Sequence, residues 1–401
     1  MMDMEKKKIL VVDDSALMRR VLCDIINSDK RFQVVAKAVD GVEAFDLLSR
    51  ESYDAVVMDI NMPRMNGLEV LKELRKYKIH AKVMIASTDS KEGASVTLDA
   101  LELGALDFVQ KPGTSFECRS EAFMKEFLDT LYAVSIARMP AEKVRTGNLT
   151  ARIPSSREGI KPSKMPSANA VQTIKNNPAA NKENVSPSGA KLQRMATGSR
   201  KVIAIASSTG GPRALQNVIP KLPKGLDAVV LLVQHMPKGF TASLAERLDS
   251  LSEVAVKEAK EGEILEKGTV YIAMGGLHFN VRLSPNGLHE IHYTDEPSRE
   301  GVKPCANYLY ESLANSKFSD ILCVVMTGMG ADGTEGILNL KNENANPSNI
   351  NKGKNIAVIS QNQSSCVVYG MPKSVVQAGL SDEELDLDDL AGKMTEWVGR
   401  H

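Results

Sequence analysis

Short, wholly apolar runs alternate along most of the chain with longer segments whose apolar residues recur at helical spacing. In residues 8–138, apolar runs at 9–12, 34–36, 55–58, 83–86 and 108–109 predict strands. Between them, 17–27 and 68–77 place apolar residues three and four apart, and 121–139 continues the pattern as a last helix. Alternation of this kind predicts parallel βαβ units with helices on both faces of a sheet. From residue 201 the rhythm returns, with strands expected at 202–206, 228–233, 269–273, 321–326 and 356–359. The stretch 341–354, rich in Asn and Lys, reads as a surface loop.

The rhythm breaks between the halves, where Pro, Ser, Asn, Ala and Lys dominate and apolar residues stand alone. Such a stretch cannot bury enough surface to offset chain entropy. The expected organisation is a first domain over 1–138, a flexible linker over 139–199 and a second domain over 200–401. Both domains are expected to be doubly wound α/β folds with mainly parallel sheets, flavodoxin-like in the first and Rossmann-like in the second.

Composition narrows the class of function. Of 401 residues, 43% are hydrophobic and 25% charged, and the formal net charge is zero. These totals offer no electrostatic basis for binding nucleic acid or a membrane surface. Five scattered cysteines without a C-x-x-C pair fit reduced thiols in a cytosol. The charged N-terminus lacks the apolar core of a signal peptide, and no apolar run approaches the ~20 residues that span a bilayer. A cytoplasmic protein without direct membrane insertion is expected, and a monomer is the default.

Chemistry-bearing residues gather at strand ends. Asp13 and Asp14 follow the run 9–12, Asp59 ends 55–58, Ser87 follows 83–86, and Lys111 follows 108–109. In a parallel sheet these positions share the carboxyl edge, where open α/β sheets bind ligands. Three carboxylates there repel one another unless a cation sits among them, and oxygen ligands with room for water suit Mg²⁺. Asp59 could then attack a phosphoryl group, with Lys111 and the Ser87 hydroxyl on its oxygens.

These residues carry a resemblance. V-V-D-D-S (11–15), V-V-M-D-I-N-M-P (56–63), the serine after the fourth strand and D-F-V-Q-K-P (107–112) resemble the motifs of response-regulator receiver domains. The resemblance implies that Asp59 is the phosphoacceptor, and that Asp13, Asp14 and the Asn61 backbone carbonyl help hold Mg²⁺. It makes Ser87 and Lys111 the switch contacts, and Phe108 the aromatic that repacks with them.

The second half offers three segments. A-S-S-T-G-G (206–211) lies at the end of a strand and before a helix expected near Pro212. Its small residues allow a sharp turn that lifts Ser208 above the sheet edge. Alone, this turn could equally cradle an anion on backbone N–H groups. V-V-L-L-V-Q-H-M-P (229–237) delivers His235 to the same edge, whereas His289 and His292 fall in a polar stretch expected to be exposed. T-G-M-G-A-D-G (327–333) places Asp332 to orient an imidazole, with Met329 N–H a candidate oxyanion donor beside Thr209. Together they support acyl transfer to water: Ser208 attacks, His235 shuttles the proton, and Asp332 orients His235. No pair of His or Cys at zinc spacing supports metal hydrolysis, and no cofactor is expected for this half.

These segments, with Y-I-A-M-G-G-L-H (271–278) and S-C-V-V-Y-G-M-P (365–372), resemble in order the catalytic domain of chemotaxis protein-glutamate methylesterases. That family implies hydrolysis of glutamate γ-methyl esters on chemoreceptor helices, often deamidation of receptor glutamines, and a chemotaxis histidine kinase as phosphodonor. It also implies that the unphosphorylated receiver covers the Ser208 cleft. The chain departs from the pattern at Met274 (usually Pro), Ala206 (usually Gly) and Asn307 (commonly Asp), and the linker and the 341–354 segment are longer than usual. The competing reading is an output half that only binds a partner or nucleotide, with the Ser208 turn as an anion nest. A DNA-binding output lacks the basic recognition helix it would need.

Overall fold

The computed structural model describes residues 5–88, 91–114, 116–139 and 200–399. The expected linker, 139–199, falls almost entirely outside the described residues. The described residues belong to one compact unit that holds two parallel sheets.

The first sheet contains β1 (Lys7–Val12), β2 (Phe32–Ala38), β3 (Ala55–Asp59), β4 (Val83–Thr88) and β5 (Asp107–Lys111) in the order β2-β1-β3-β4-β5. Its helices are α1 (Ala16–Ser28), α2 (Gly41–Arg50), α3 (Gly67–Lys76), α4 (Lys91–Leu103) and α5 (Glu121–Ile136). Local chemistry starts several of them. Ser15 accepts from Met18 N ahead of α1, Asp40 caps α2, and Asn66 with Glu69 forms a reciprocal capping box on α3. All of β3 is buried, as a strand covered by helices on both faces must be.

The second sheet is built from β6 (Lys201–Ser207), β7 (Val229–Gln234), β8 (Ala255–Glu258), β9 (Thr269–Ile272), then β12 (Asp320–Val325), β13 (Asn355–Gln361) and β14 (Glu383–Leu385). An antiparallel hairpin of β10 (His278–Leu283) and β11 (His289–Thr294) stands outside it. The helices are α6 (Gly211–Val218), α7 (Phe240–Leu251), α8 (Ala306–Ser312), α9 (Thr334–Ala345), α10 (Met371–Gln377) and α11 (Leu387–Gly399). Strand order is β14-β13-β12-β6-β7-β9-β8, every pair parallel. The chain winds outward from β6 first through β7 and later through β12, so the switch point lies at the carboxyl end of β6. Among the described residues no helix is long and apolar enough to cross a membrane.

Two expectations need correction. The 341–354 segment is not a loop throughout: α9 runs on to Ala345, and Lys354 is buried with its ammonium on the carbonyls of Ser316 and Phe318. The stem of Lys354 packs while its ammonium donates to two carbonyls, which its charge in the sequence does not reveal. The stretch holding His289 is also not simply exposed. It forms β11, and His289 is buried, stacked 3.8 Å from the Phe318 ring centroid and accepting Lys317 N–H. Burial and two nearby lysines push that imidazole down to about 4.

Candidate active site

Strand pairing brings the three candidates of the second domain together. Ser207 pairs with Gln234 across β6 and β7, so Ser208 and His235 leave the sheet side by side. On the other flank Ala206 pairs with Val325, and Ser208 N–H donates to Thr327 O at 3.0 Å. The turn after Ser208 is sharp because Gly210 adopts φ +77°, and α6 begins at Gly211 without a side-chain cap. Close approach also requires glycine at 328, where a Cβ would meet Ser208 Cβ at 2.8 Å.

His235 Nε2 lies 2.7 Å from Asp332 Oδ2. Asp332 is buried and also accepts from Ala306 N (2.6 Å), Asn307 N (3.0 Å) and Cys305 Sγ (3.0 Å). Burial alone would raise its pKa, but the bonds to His235, Cys305 and Ala306 outweigh it and hold the carboxyl below the usual range. An ionised Asp332 accepts, so Nε2 carries the proton and Nδ1 is the basic ring atom. Among the described residues Nδ1 has no partner, and no hydrogen bond joins it to Ser208 Oγ. The departure at Asn307 is accommodated: its Oδ1 accepts Gly333 N and Gly336 N, tying down the loop that carries Asp332. The backbone N–H groups of Thr209 and Met329, the candidate oxyanion donors, take part in no described hydrogen bond.

At the carboxyl edge of the first sheet, Asp13, Asp14 and Asp59 place carboxylate oxygens within 4.8 Å of one another. Lys111 Nζ lies 3.2 Å from Asp13 and 3.0 Å from Asp59. Burial raises Asp59 above the ordinary carboxylate range, with Lys111 pulling it back and Asp13 adding repulsion. Lys111 itself is raised: its two carboxylate neighbours outweigh the burial that would lower it. Two buried carboxylates and an exposed third, all hard oxygen donors, fit a small divalent cation. Ser87, buried one residue past the Asp59–Ala86 pair, accepts a hydrogen bond from Thr97 Oγ1 at 2.8 Å. Asn61 is exposed two residues beyond Asp59.

The two sites are joined by packing that the sequence does not announce. Phe108 of β5 stacks on Phe240 of α7, and Arg247 of α7 pairs with Glu102 and Asp99 of α4. A narrow cleft between the domains is lined by Leu101, Ala105 and Leu106 on one side and Gly210, Pro212 and Val367 on the other. At its edge Asp107 meets the Thr209 hydroxyl. Burial pushes Asp107 up to about 6, against the opposing pull of Thr209, Phe108 N–H and the charge of His235. The signals for these residues were faint: Asp107 is one acid ahead of Phe108, Val109 and Gln110 in the motif that ends on Lys111, and Cys305 is a lone thiol.

The family model described as CheB methylesterase matches residues 203–394, and that described as response regulator receiver domain matches residues 9–121. The chain is 38% identical to protein-glutamate methylesterase/protein-glutamine glutaminase 1 of Syntrophomonas wolfei, covering 96% of this chain and 98% of that protein. It is 37% identical to the protein-glutamate methylesterase/protein-glutamine glutaminase of Bacillus subtilis, covering 98% of each. Among solved structures, the CheB methylesterase catalytic domain of Thermotoga maritima is 40% identical and covers 50% of this chain and 98% of that one, with a TM-score of 0.45.

Proposed function

The chain belongs to the protein-glutamate methylesterase family of receiver-coupled hydrolases, and from that premise we propose that it demethylates chemoreceptor glutamates under the control of phosphorylation. The observation that carries this reading is the 2.7 Å His235–Asp332 bond beside a serine lifted off the next strand.

In the proposed reaction Ser208 Oγ attacks the carbonyl carbon of a glutamate γ-methyl ester while His235 Nδ1 takes the hydroxyl proton. Asp332 holds the imidazolium that results. The N–H groups of Met329 and Thr209 face the oxyanion, in a turn where glycines leave the backbone accessible. Collapse expels methanol, which leaves with the proton from His235. Water then attacks the acyl-serine as His235 again accepts a proton, the bond to Ser208 Oγ breaks, His235 returns that proton to Oγ, and the glutamate carboxylate departs. Deamidation of a receptor glutamine follows the same steps with ammonia as leaving group.

Control is proposed to come from the receiver. Asp59 would accept the phosphoryl group from a chemotaxis histidine kinase. Asp13, Asp14, Asp59 and the Asn61 carbonyl would hold Mg²⁺, which when bound offsets the charge of the incoming phosphoryl oxygens. Lys111 and Ser87 would contact those oxygens. A phosphoryl group adds about −1.5 to −2 charge at neutral pH. That charge would draw Ser87 and Lys111 inward, repack Phe108 and loosen its contact with Phe240. The contacts of Leu106, Asp107 and Phe108 against the Ser208 turn and α7 support this route.

The test is methanol release from methylated receptor fragments, with and without acetyl phosphate and Mg²⁺, for wild type and Ser208→Ala. Stimulated release that disappears in the variant supports the reading. No release from the wild type under any condition would leave the Ser208 turn as an anion-binding nest in a partner-binding module.

A further inference from the structure

Gln234 is the last residue of β7 and is 1% exposed at the end of an otherwise apolar strand. Its Nε2 donates to Ser208 O at 3.1 Å and to His235 O at 3.2 Å. Its Oε1 accepts the Ser207 hydroxyl at 2.7 Å. The amide orientation follows from these partners, since two carbonyls demand the two donors of the NH₂ group. One side chain therefore bonds the backbone of both the nucleophile and the base, and is itself oriented by the residue before the nucleophile.

The surroundings leave no slack. Ser208 O also accepts Gly211 N–H at 2.6 Å, and His235 N–H donates to Ser207 O at 3.1 Å. A Cβ at Gly211 would lie 2.0 Å from Gln234 Oε1. The second glycine of A-S-S-T-G-G thus makes room for this amide. A buried carboxamide with three satisfied bonds is stiff, and a misplacement of about 1 Å between reacting groups is enough to cost roughly a hundredfold in rate.

We propose that Gln234 is a positioning residue that clamps the Ser208 and His235 backbones at their working separation, with Ser207 orienting the clamp. It touches no substrate atom. The proposal rests on the Ser208–His235–Asp332 reading above.

The test compares kcat and KM for methyl-ester hydrolysis by the full chain with Gln234→Met, Ser207→Ala, the double variant and Ser208→Ala, alongside thermal melting. Gln234→Met keeps the volume and removes all three bonds. It is expected to lower kcat by about 10–100-fold with KM within about twofold. Ser207→Ala should lower kcat by roughly 3–10-fold, and the double variant should be no slower than Gln234→Met alone, since both act through one clamp. A folded Gln234→Met with wild-type kcat overturns the clamp. Should that variant not fold, Ser207→Ala decides: a wild-type kcat there overturns the proposal and a reduced one supports it. Turnover surviving in Ser208→Ala would instead bring down the triad reading and the clamp with it.

Discussion

Phe108 of the receiver lies on Phe240 of the hydrolase domain, ring centroids 4.5 Å apart and planes 27° from parallel. Phe108 is three residues from Lys111, which bridges Asp13 and Asp59, and Phe240 opens α7, the helix that follows the His235 loop. This stacked pair is therefore a packed connection between the strand that carries Lys111 and the hydrolase domain. An aromatic pair contributes about 0.5–1.5 kcal/mol beyond the area it buries. Phe108→Ala should accordingly raise turnover without phosphodonor by about 3–10-fold and shrink the stimulation by acetyl phosphate. Unchanged resting turnover in a folded variant would remove this contact from the gate.

Asp59→Asn should retain resting hydrolysis and lose the response to acetyl phosphate. Its Oδ1 meets Lys111 at 3.0 Å, so the amide keeps a partner and the domain stays folded. Stimulation surviving in this variant would move the phosphosite elsewhere.

Chelation separates the two chemistries. EDTA should abolish stimulation by acetyl phosphate and leave resting methanol release within about twofold, because the triad uses only proton transfers. Mg²⁺ alone should raise the melting temperature of the receiver, since a cation relieves repulsion among three carboxylates and binds only the folded cluster. A melting temperature insensitive to Mg²⁺ would argue against a cation site there.

Asp107 should make the proposed closed arrangement sensitive to pH. Burial at the domain interface raises its carboxyl to about 6, against the pull of Thr209, Phe108 N–H and His235, while Glu126 of α5 is itself raised by burial and then by the charge of Asp107. A raised pKa means that closure favours the protonated form. The penalty is absent below the ordinary carboxylate pKa of about 4 and complete once pH has risen through about 6. Near neutral pH, Asp107→Asn should thus tighten the interface and lower resting turnover a few-fold. Towards about pH 5 the gap from wild type should narrow. A variant with higher resting turnover near neutral pH would reverse the sign and refute the argument.

Much of the fold was legible because its signals are local. The run 229–233 reads as a buried strand from apolarity alone, and it is buried throughout. The two glycines at 210 and 211 announce a turn, and Gly210 has the positive φ that demands one. Hairpin residues were harder to read: His289 looks exposed beside Glu290 and His292, yet alternation in β11 turns it inward against Phe318. Lys354 was misread for a similar reason, since a charge says nothing about carbonyls contributed by a segment some 36 residues earlier.

The sequence by itself determined which residues stand at strand ends and which chemistry they carry, because hydrophobic period and turn residues act over a few positions. Tertiary structure alone decided the rest. The order β14-β13-β12-β6-β7-β9-β8 sets Asp332 across from His235 although 97 residues separate them. The clamp by Gln234 and the stacking of Phe108 on Phe240 depend equally on which surfaces meet. Such pairings are settled by packing between segments far apart in the chain, and no local pattern encodes them.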